Sequence, residues 1–394
     1  MKKRALNLII SLSIAISTIL AVVPGNFSIA NAATVNQAKI ISVEIPADID
    51  AYATKVFPNQ IHSAMQAAKE YGLPDSNSTH YTLGTAFNVY KLSDESIDNT
   101  NIYYFTVLFD GKIVASLAVS KSQNGGISST FSKGFAKTLE TTVENNSNKQ
   151  FRMVDIDGDI QAVSNTDTFL VFKDVQKETV PEVKPETIKK INKLAQVNTD
   201  AKKYKESIST VKAKVTNSKS IDTAMVSSLS SVYYATYLPV PVIYQNGKNW
   251  CWACTIASIV NYKKGMSLQG SNVVSYIYGG ALPDVGGTTS QELSAFYHWG
   301  LYPTHYTSSQ SFTATQAMLD SGNPLYTSWY NSSTGYWHAM TLRGYETYRD
   351  GSKNYLIIDP NYGYETVTAQ DVSTSVYYTL GGRNYYWQEC IKGF

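Results

Sequence analysis

Two regimes of hydrophobic patterning divide the chain. From residue 34 to about 175, polar segments separate stretches with alternating apolar positions, such as Ile102 to Phe109, Lys112 to Val119 and Phe169 to Phe172. That period predicts strands of an antiparallel sheet within a small α+β domain. After Ser231 the punctuation places elements more clearly. Asn249 stands as an N-cap for a helix carrying Trp252, Ile256, Ile259 and Val260 on one stripe, closed by Gly265. Thr289 and Glu292 have capping-box spacing at the start of a second helix, which ends at Gly300. A third, from about Thr313 to Asp320, stops before Gly322 and Pro324. Strands follow over Leu325 to Tyr330, His338 to Tyr345, Tyr355 to Ile358, Ser375 to Leu380 and Tyr385 to Cys390. Helices first and sheet second predict an α+β fold with helices on one side of an antiparallel sheet.

The start of the chain reads as an export signal over residues 1–33. Lys2, Lys3 and Arg4 precede an apolar run from Leu6 to Val23, and Ala30 and Ala32 supply a small-x-small cleavage site. The expected product is secreted, extracellular and free of a membrane anchor, because no later apolar stretch has the length of a spanning helix. Between the two patterned regions, residues 176–230 are rich in lysine, carry Pro181 and Pro185, and hold few large apolar side chains. Such composition suits a linker or an exposed helix, and its lysines are good sites for nicking. The expected organisation is therefore a signal peptide (1–33), an N-terminal domain (34–175), a linker (176–230) and a C-terminal domain (231–394).

Composition changes the picture at three points. A net charge of +2 gives no basic stripe and argues against a nucleic-acid partner. The 29 tyrosines gather in the C-terminal half, where strands with one wet face suit a ring tipped by a hydroxyl. Three cysteines, Cys251, Cys254 and Cys390, cannot form a disulfide framework and leave at least one free thiol.

Cys251 falls in the first turn of the first C-terminal helix, where unpaired N–H groups and the helix dipole favour a thiolate. His338 opens a strand, and Asp359 ends the next one 359 − 338 = 21 residues later, a return that can set a carboxylate beside the imidazole. Thiolate attack on a carbonyl, proton transfer by the imidazole and orientation by the aspartate follow as roles. Gln245, six residues ahead of Cys251, is spaced to aim its amide at an oxyanion also facing the Cys251 N–H.

Gln245 through Trp250, followed by Cys251-Trp252-Ala253, resembles the pattern around the oxyanion glutamine and nucleophile of papain-like cysteine peptidases. Gly322-Asn323-Pro324-Leu325, His338-Ala339-Met340, Gly344-Tyr345 and Leu356-Ile357-Ile358-Asp359-Pro360 are similar to the compact bacterial branches, the staphopain-like and bacteriocin-processing-like peptidases. The resemblance spans roughly residues 235 to 394 and implies roles for Gln245, Cys251, His338 and Asp359. It implies a papain-like catalytic domain preceded by a smaller α+β prodomain, and a zymogen whose N-terminal part covers the cleft as an inhibitor until it is cut; the alternative for that part is a targeting module that stays attached. The substrate would be protein or peptide, with no cofactor and no metal. Two departures stand out: an aspartate orients the histidine where many relatives use asparagine, with Asn361 nearby as a second candidate, and the disulfide cysteine between glutamine and nucleophile is missing.

Several rival readings carry less. Asp155-Ile156-Asp157-Gly158-Asp159 has its glycine in the wrong place for a calcium loop and reads as a tight turn. Cys254 makes a C-x-x-C with Cys251 but lacks zinc spacing elsewhere and reads as core, and Cys390 reads as structural, either free or paired with Cys254. His298 precedes no orienting acid, His305 is expected in a polar loop, and His62 and His80 fall in the N-terminal domain. Trp337 either shields the catalytic pair or packs as a core ring. Rival activities are a transglutaminase-like acyltransferase, a peptidoglycan-peptide hydrolase and a non-catalytic binding protein. Loops such as Gly279 to Thr288 and Ser328 to Trp337 would shape the substrate pocket, and their aromatic content hints at apolar preference.

Overall fold

The computed structural model describes residues 37–74, 77, 80–122, 125–173, 182–200, 204–212, 232–369 and 377–394. The export signal expected over 1–33 lies outside them. In the N-terminal part, β1 (Lys39–Val43) is followed by helix α1 (Ala47–Met65) and a meander of β2 (Tyr81–Leu92), β3 (Ile97–Phe109), β4 (Lys112–Lys121) and β5 (Ile127–Ser132). Helix α2 (Ala136–Asn145) leads to β6 (Gln150–Ile156), which runs parallel to β2 and pairs antiparallel with β7 (Asp159–Val163). The β6–β7 connection is the tight turn expected from sequence: Asp157 and Gly158 both have positive φ, and the Gly158 N–H donates to Asp155 Oδ1 at 2.6 Å. Strand β8 (Thr168–Phe172) pairs with β7, and after helix α3 (Pro185–Asp200) strand β9 (Glu206–Thr210) returns to pair with β1. The lysine-rich segment thus carries a helix that buries Ile188, Ile191 and Ala195, and a strand fixed to the N-terminal part.

In the C-terminal part β10 (Val232–Tyr237) precedes helices α4 (Cys251–Lys264), α5 (Gly270–Ile277) and α6 (Thr289–His298). Then come β11 (Thr304–Tyr306), α7 (Phe312–Asp320), β12 (Leu325–Asn331), β13 (Tyr336–Tyr348), β14 (Lys353–Asp359), β15 (Gly363–Thr368), β16 (Tyr377–Leu380) and β17 (Arg383–Lys392). The strands form an antiparallel sheet in the order β15-β14-β13-β12-β17-β16, with β10 on the far half of β13 and β11 on β17. Seven helices among the described residues and one large sheet make the fold α+β.

Helix α4 is apolar nearly all round, so it must be covered on several sides. Trp252, Ile256, Ile259 and Val260 pack with Val273 and Val274 of α5 and with Ala295 and Phe296 of α6. Each of the valine, isoleucine and phenylalanine side chains, fully buried, contributes about 1.5–3 kcal/mol. Gly265, with φ of 65°, ends α4 as expected, because a left-handed residue there is easiest for glycine.

Other boundaries differ from expectation for identifiable reasons. The N-cap of α4 is Trp250; the Asn249 N–H donates instead to Asp284 Oδ1 at 2.6 Å. The capping box of α6 is Thr288 with Gln291, one residue earlier than Thr289 with Glu292, since Glu292 turns inward and is buried. His338 is the third residue of β13, not its first, and His305 lies within β11. Part of the strand expected over Ser375 to Leu380 lies outside the described residues, and β16 begins at Tyr377.

The N-terminal strands and the C-terminal sheet are joined. Strand β5 pairs with β15 through Thr130↔Val367 and Phe131↔Thr366, which covers an edge that would otherwise offer unpaired backbone groups. Strand β13 also meets β10 so closely that a Cβ on Gly344 would lie 2.4 Å from the Thr236 carbonyl oxygen. Gly344→Ala must therefore displace backbone, and thermal unfolding should show a loss of about 1–3 kcal/mol. An unchanged Tm would contradict the packing of β10 on β13.

Candidate active site

Helix α4 presents Cys251 at its first position, and three bonds clamp the preceding turn to the loop at 283–285. Besides the Asn249–Asp284 contact, Trp250 Nε1–H donates to the Pro283 carbonyl at 2.8 Å and Trp252 Nε1–H to the Val285 carbonyl at 3.1 Å. The loop then runs over the Trp252 ring so tightly that a Cβ on Gly287 would sit 2.4 Å from it. One turn along α4, Thr255 Oγ1–H donates to the Ala339 carbonyl at 3.2 Å. That bond ties the helix to β13 at the residue after His338 and sets the spacing between thiol and imidazole.

His338 Nε2 lies 3.0 Å from Asp359 Oδ1, which leaves Nδ1 for the Cys251 thiol on the wall of the same cleft. Antiparallel pairing of Thr341 with Ile358 brings β13 and the end of β14 into the register this contact needs. Asp359 is fully buried. Its Oδ1 also accepts the Asn361 N–H at 2.7 Å, and its Oδ2 accepts the Tyr378 hydroxyl at 2.8 Å. Asn361 therefore meets the aspartate through its backbone, and Asp359 is the group that meets His338.

Burial opposes a charge on His338, but Asp359 and then Cys251 override it and hold the imidazole well above its ordinary value of 6.5. The pair's contribution to stability is thus present below that ordinary value and lost as pH rises through the elevated one. Near neutrality the imidazolium form is favoured. All three cysteines are free thiols. Burial pushes Cys254 up to about 12 and Cys390 up to about 11, so both stay protonated, while Cys251 is the partly exposed one.

Gln245 is brought near by backbone: its N–H donates to the Pro360 carbonyl at 3.0 Å, next to Asp359. Its side-chain Nε2 donates to the Lys248 carbonyl at 2.5 Å, and its Oε1 is buried with no partner among the described residues. The amide is thus turned toward its own loop, with one N–H left over.

The cleft is a cavity of about 360 Å³ beside Cys251 and His338. Gly286, Gly287 and Thr288 line one side, Ser328, Trp337 and Ala339 another, and Glu292, Tyr326 and Glu389 reach into it. Trp337 is 46 % exposed and lies tilted against Tyr330, so it borders the cleft rather than packing as a core ring. No lining residue comes from the described parts of 37–212. The remaining histidines are engaged elsewhere: His298 stacks on Tyr276 at 3.8 Å, His62 and His80 lie beside Gln66 and Asn77, and His305 meets Glu389. Sequence reasoning missed Tyr378, Thr255 and Glu292. Only Glu292 left a signal, as an acid in a capping position.

Tyr378→Phe strips Asp359 Oδ2 of its donor inside a dry site. Denaturant unfolding should show a loss of about 1–3 kcal/mol, the cost of a buried acceptor left unpaired. A neutral result would mean that water replaces the hydroxyl.

Residues 235–375 match the family model described as papain-like cysteine protease AvrRpt2. Among solved structures, a C39-like peptidase from Bacillus anthracis is 13% identical, with 35% of this chain and 98% of that one covered at a TM-score of 0.24. The bromelain protease from Ananas comosus, in complex with the E64 inhibitor, is 20% identical, with 37% and 92% covered at a TM-score of 0.22. No curated protein matches the chain. Residues 235–375 are thus similar to papain-like cysteine proteases, on a chain whose fold is α+β.

Proposed function

We propose that the chain is a secreted endopeptidase that hydrolyses peptide bonds through Cys251, His338 and Asp359. The observation that carries this reading is the imidazole of His338 bonded to Asp359 and sharing the wall of one cleft with Cys251, whose charge helps to raise its proton affinity. The Cys251 thiolate attacks the scissile carbonyl, and the imidazolium protonates the leaving amine. Water, deprotonated by the now neutral imidazole, then hydrolyses the thioester and frees the thiolate. Asp359 fixes the ring and favours its charged form. The Cys251 N–H and the spare N–H of Gln245 are the oxyanion donors in this scheme, which requires the Gln245 amide to turn from Lys248 when substrate binds.

The same reading takes residues 1–33 as an export signal and residues 34–175 as a prodomain removed by cutting within the lysine-rich stretch between Lys202 and Ser231, part of which lies outside the described residues. The prodomain grips the peptidase sheet at β15, and inhibition by it would act from that edge. A protein or peptide is the substrate, with no cofactor, nucleic acid or membrane as partner.

The test is to incubate the full chain and its Cys251→Ala variant with casein under reducing conditions and to follow both proteins by mass spectrometry. Only the wild type should cut casein and shed its N-terminal part. If neither cuts casein even after an added protease nicks the lysine-rich stretch, the endopeptidase reading is wrong. Iodoacetamide should label Cys251 well ahead of Cys254 and Cys390, and equal labelling would remove the reason to single it out.

The pH dependence of kcat/KM offers a further check. Its alkaline limb reports loss of the His338 proton and should lie well above 6.5. Asp359→Asn removes the strongest influence raising that proton's affinity, so the limb should move to lower pH. A limb that stays in place would separate Asp359 from the reaction.

A further inference from the structure

We propose that the cleft beside Cys251 takes a lysine or arginine side chain of the substrate within two residues of the scissile bond, with Glu292 and Glu389 as its charge partners. The proposal rests on the reading of Cys251 as nucleophile and adds the class of side chain that the site selects.

Glu292 comes from α6 and is only 8 % exposed, an expensive position for a carboxyl group. Tyr326 donates its hydroxyl to Glu292 Oε1 at 2.6 Å. No described residue is hydrogen-bonded to Oε2, and the side chain lines the cavity that also holds Cys251 and His338. Glu389 of β17 lines the same cavity, with His305 Nε2 3.1 Å from its Oε2. Two acids thus share a space that no lysine or arginine lines.

The remaining walls suit a long cationic side chain. Gly286, Gly287, Ser328 and Ala339 keep the entrance free of bulk, while Trp252 and Tyr326 offer ring surface for an alkyl stem. Burial pushes the Glu292 carboxyl up to about 7, with Tyr326 and His305 pulling it down and Glu389 pushing it further up. A cation entering the pocket offsets both the burial and the like charge, so the acid gains most when such a substrate is bound.

A purely structural Glu292, serving as acceptor for the Tyr326 hydroxyl, would alter stability but not selectivity. The experiment compares kcat/KM of the full chain on matched fluorogenic peptides that differ only in lysine, arginine, leucine or glutamate at either position preceding the scissile bond. The wild type should favour lysine or arginine over leucine by about tenfold or more at one position. In Glu292→Gln, and separately in Glu389→Gln, that ratio should fall several-fold. The ratio is taken within one preparation, so loss of folded protein cancels. A wild-type preference for leucine, or a ratio unchanged in both variants, overturns the proposal while leaving the protease reading intact. If the wild type cleaves none of the peptides and matches Cys251→Ala, the protease reading fails and the subsite with it.

Discussion

Asp359 is a carboxyl group with no access to water, and the arrangement of the C-terminal sheet follows from satisfying it. An isolated buried carboxylate is costly, and removing one partner from a buried ion pair typically costs about 3–5 kcal/mol. Here the partners come from three directions: His338 on β13, the turn at Asn361 and Tyr378 on β16. The antiparallel register of β13 and β14 supplies the first, and the return of the chain to β16 supplies the third. With Asp359 held, His338 is held, and the Thr255–Ala339 bond then aligns the helix that carries Cys251.

Much of this was legible in the sequence because the residues concerned obey strong local rules. Gly265 closed α4 at the expected place, and the strands around His338 and Asp359 showed clear apolar periods. Cys251 and Asp359 were found at the helix start and strand end assigned to them. Helix α1 escaped notice for a physical reason. Its buried face carries Asn59, Gln60 and Ser63 beside Ile49, Ala53 and Phe57, so no clean apolar stripe marks it. Tyr378 was equally hidden: one tyrosine among 29 becomes an aspartate's donor only through pairings distant in sequence. The direction of the Gln245 amide depends on a local carbonyl that spacing does not reveal.

The polar face of α1 explains how the N-terminal part meets the sheet. Gln60 Nε2 lies 3.2 Å from both Ser129 Oγ and Asn354 Oδ1, and the Tyr71 and Thr366 hydroxyls are 2.6 Å apart. Ser63 bonds the buried Glu346, and Ser132 bonds the buried Glu365. Burial and the nearby Asp359 push Glu365 up to about 8, with Ser132, Tyr378 and His338 pulling the other way. The N-terminal hydroxyls therefore touch a group that itself feels the carboxylate orienting His338.

The interface is mixed, because apolar side chains of both parts also share one buried cluster, with Tyr71 against Tyr364 and Phe172 against Tyr362. Exposing apolar surface to water is unfavourable in proportion to its area, whereas polar groups regain hydrogen bonds from water when they part. Glu346, Glu365, Asn354 and Thr366 lose specific partners from the N-terminal part but become hydrated once uncovered. The β5–β15 pairing spans only two residue pairs, so it adds little that solvent would not replace. Asp359 keeps all three of its donors within the C-terminal part, from His338, Asn361 and Tyr378. Tyr378 nonetheless sits on a strand held from the N-terminal part, since the Thr379 N–H donates to Thr130 Oγ1 at 3.1 Å and Arg383 pairs with Asp155, so loss of those contacts would loosen one of the three donors.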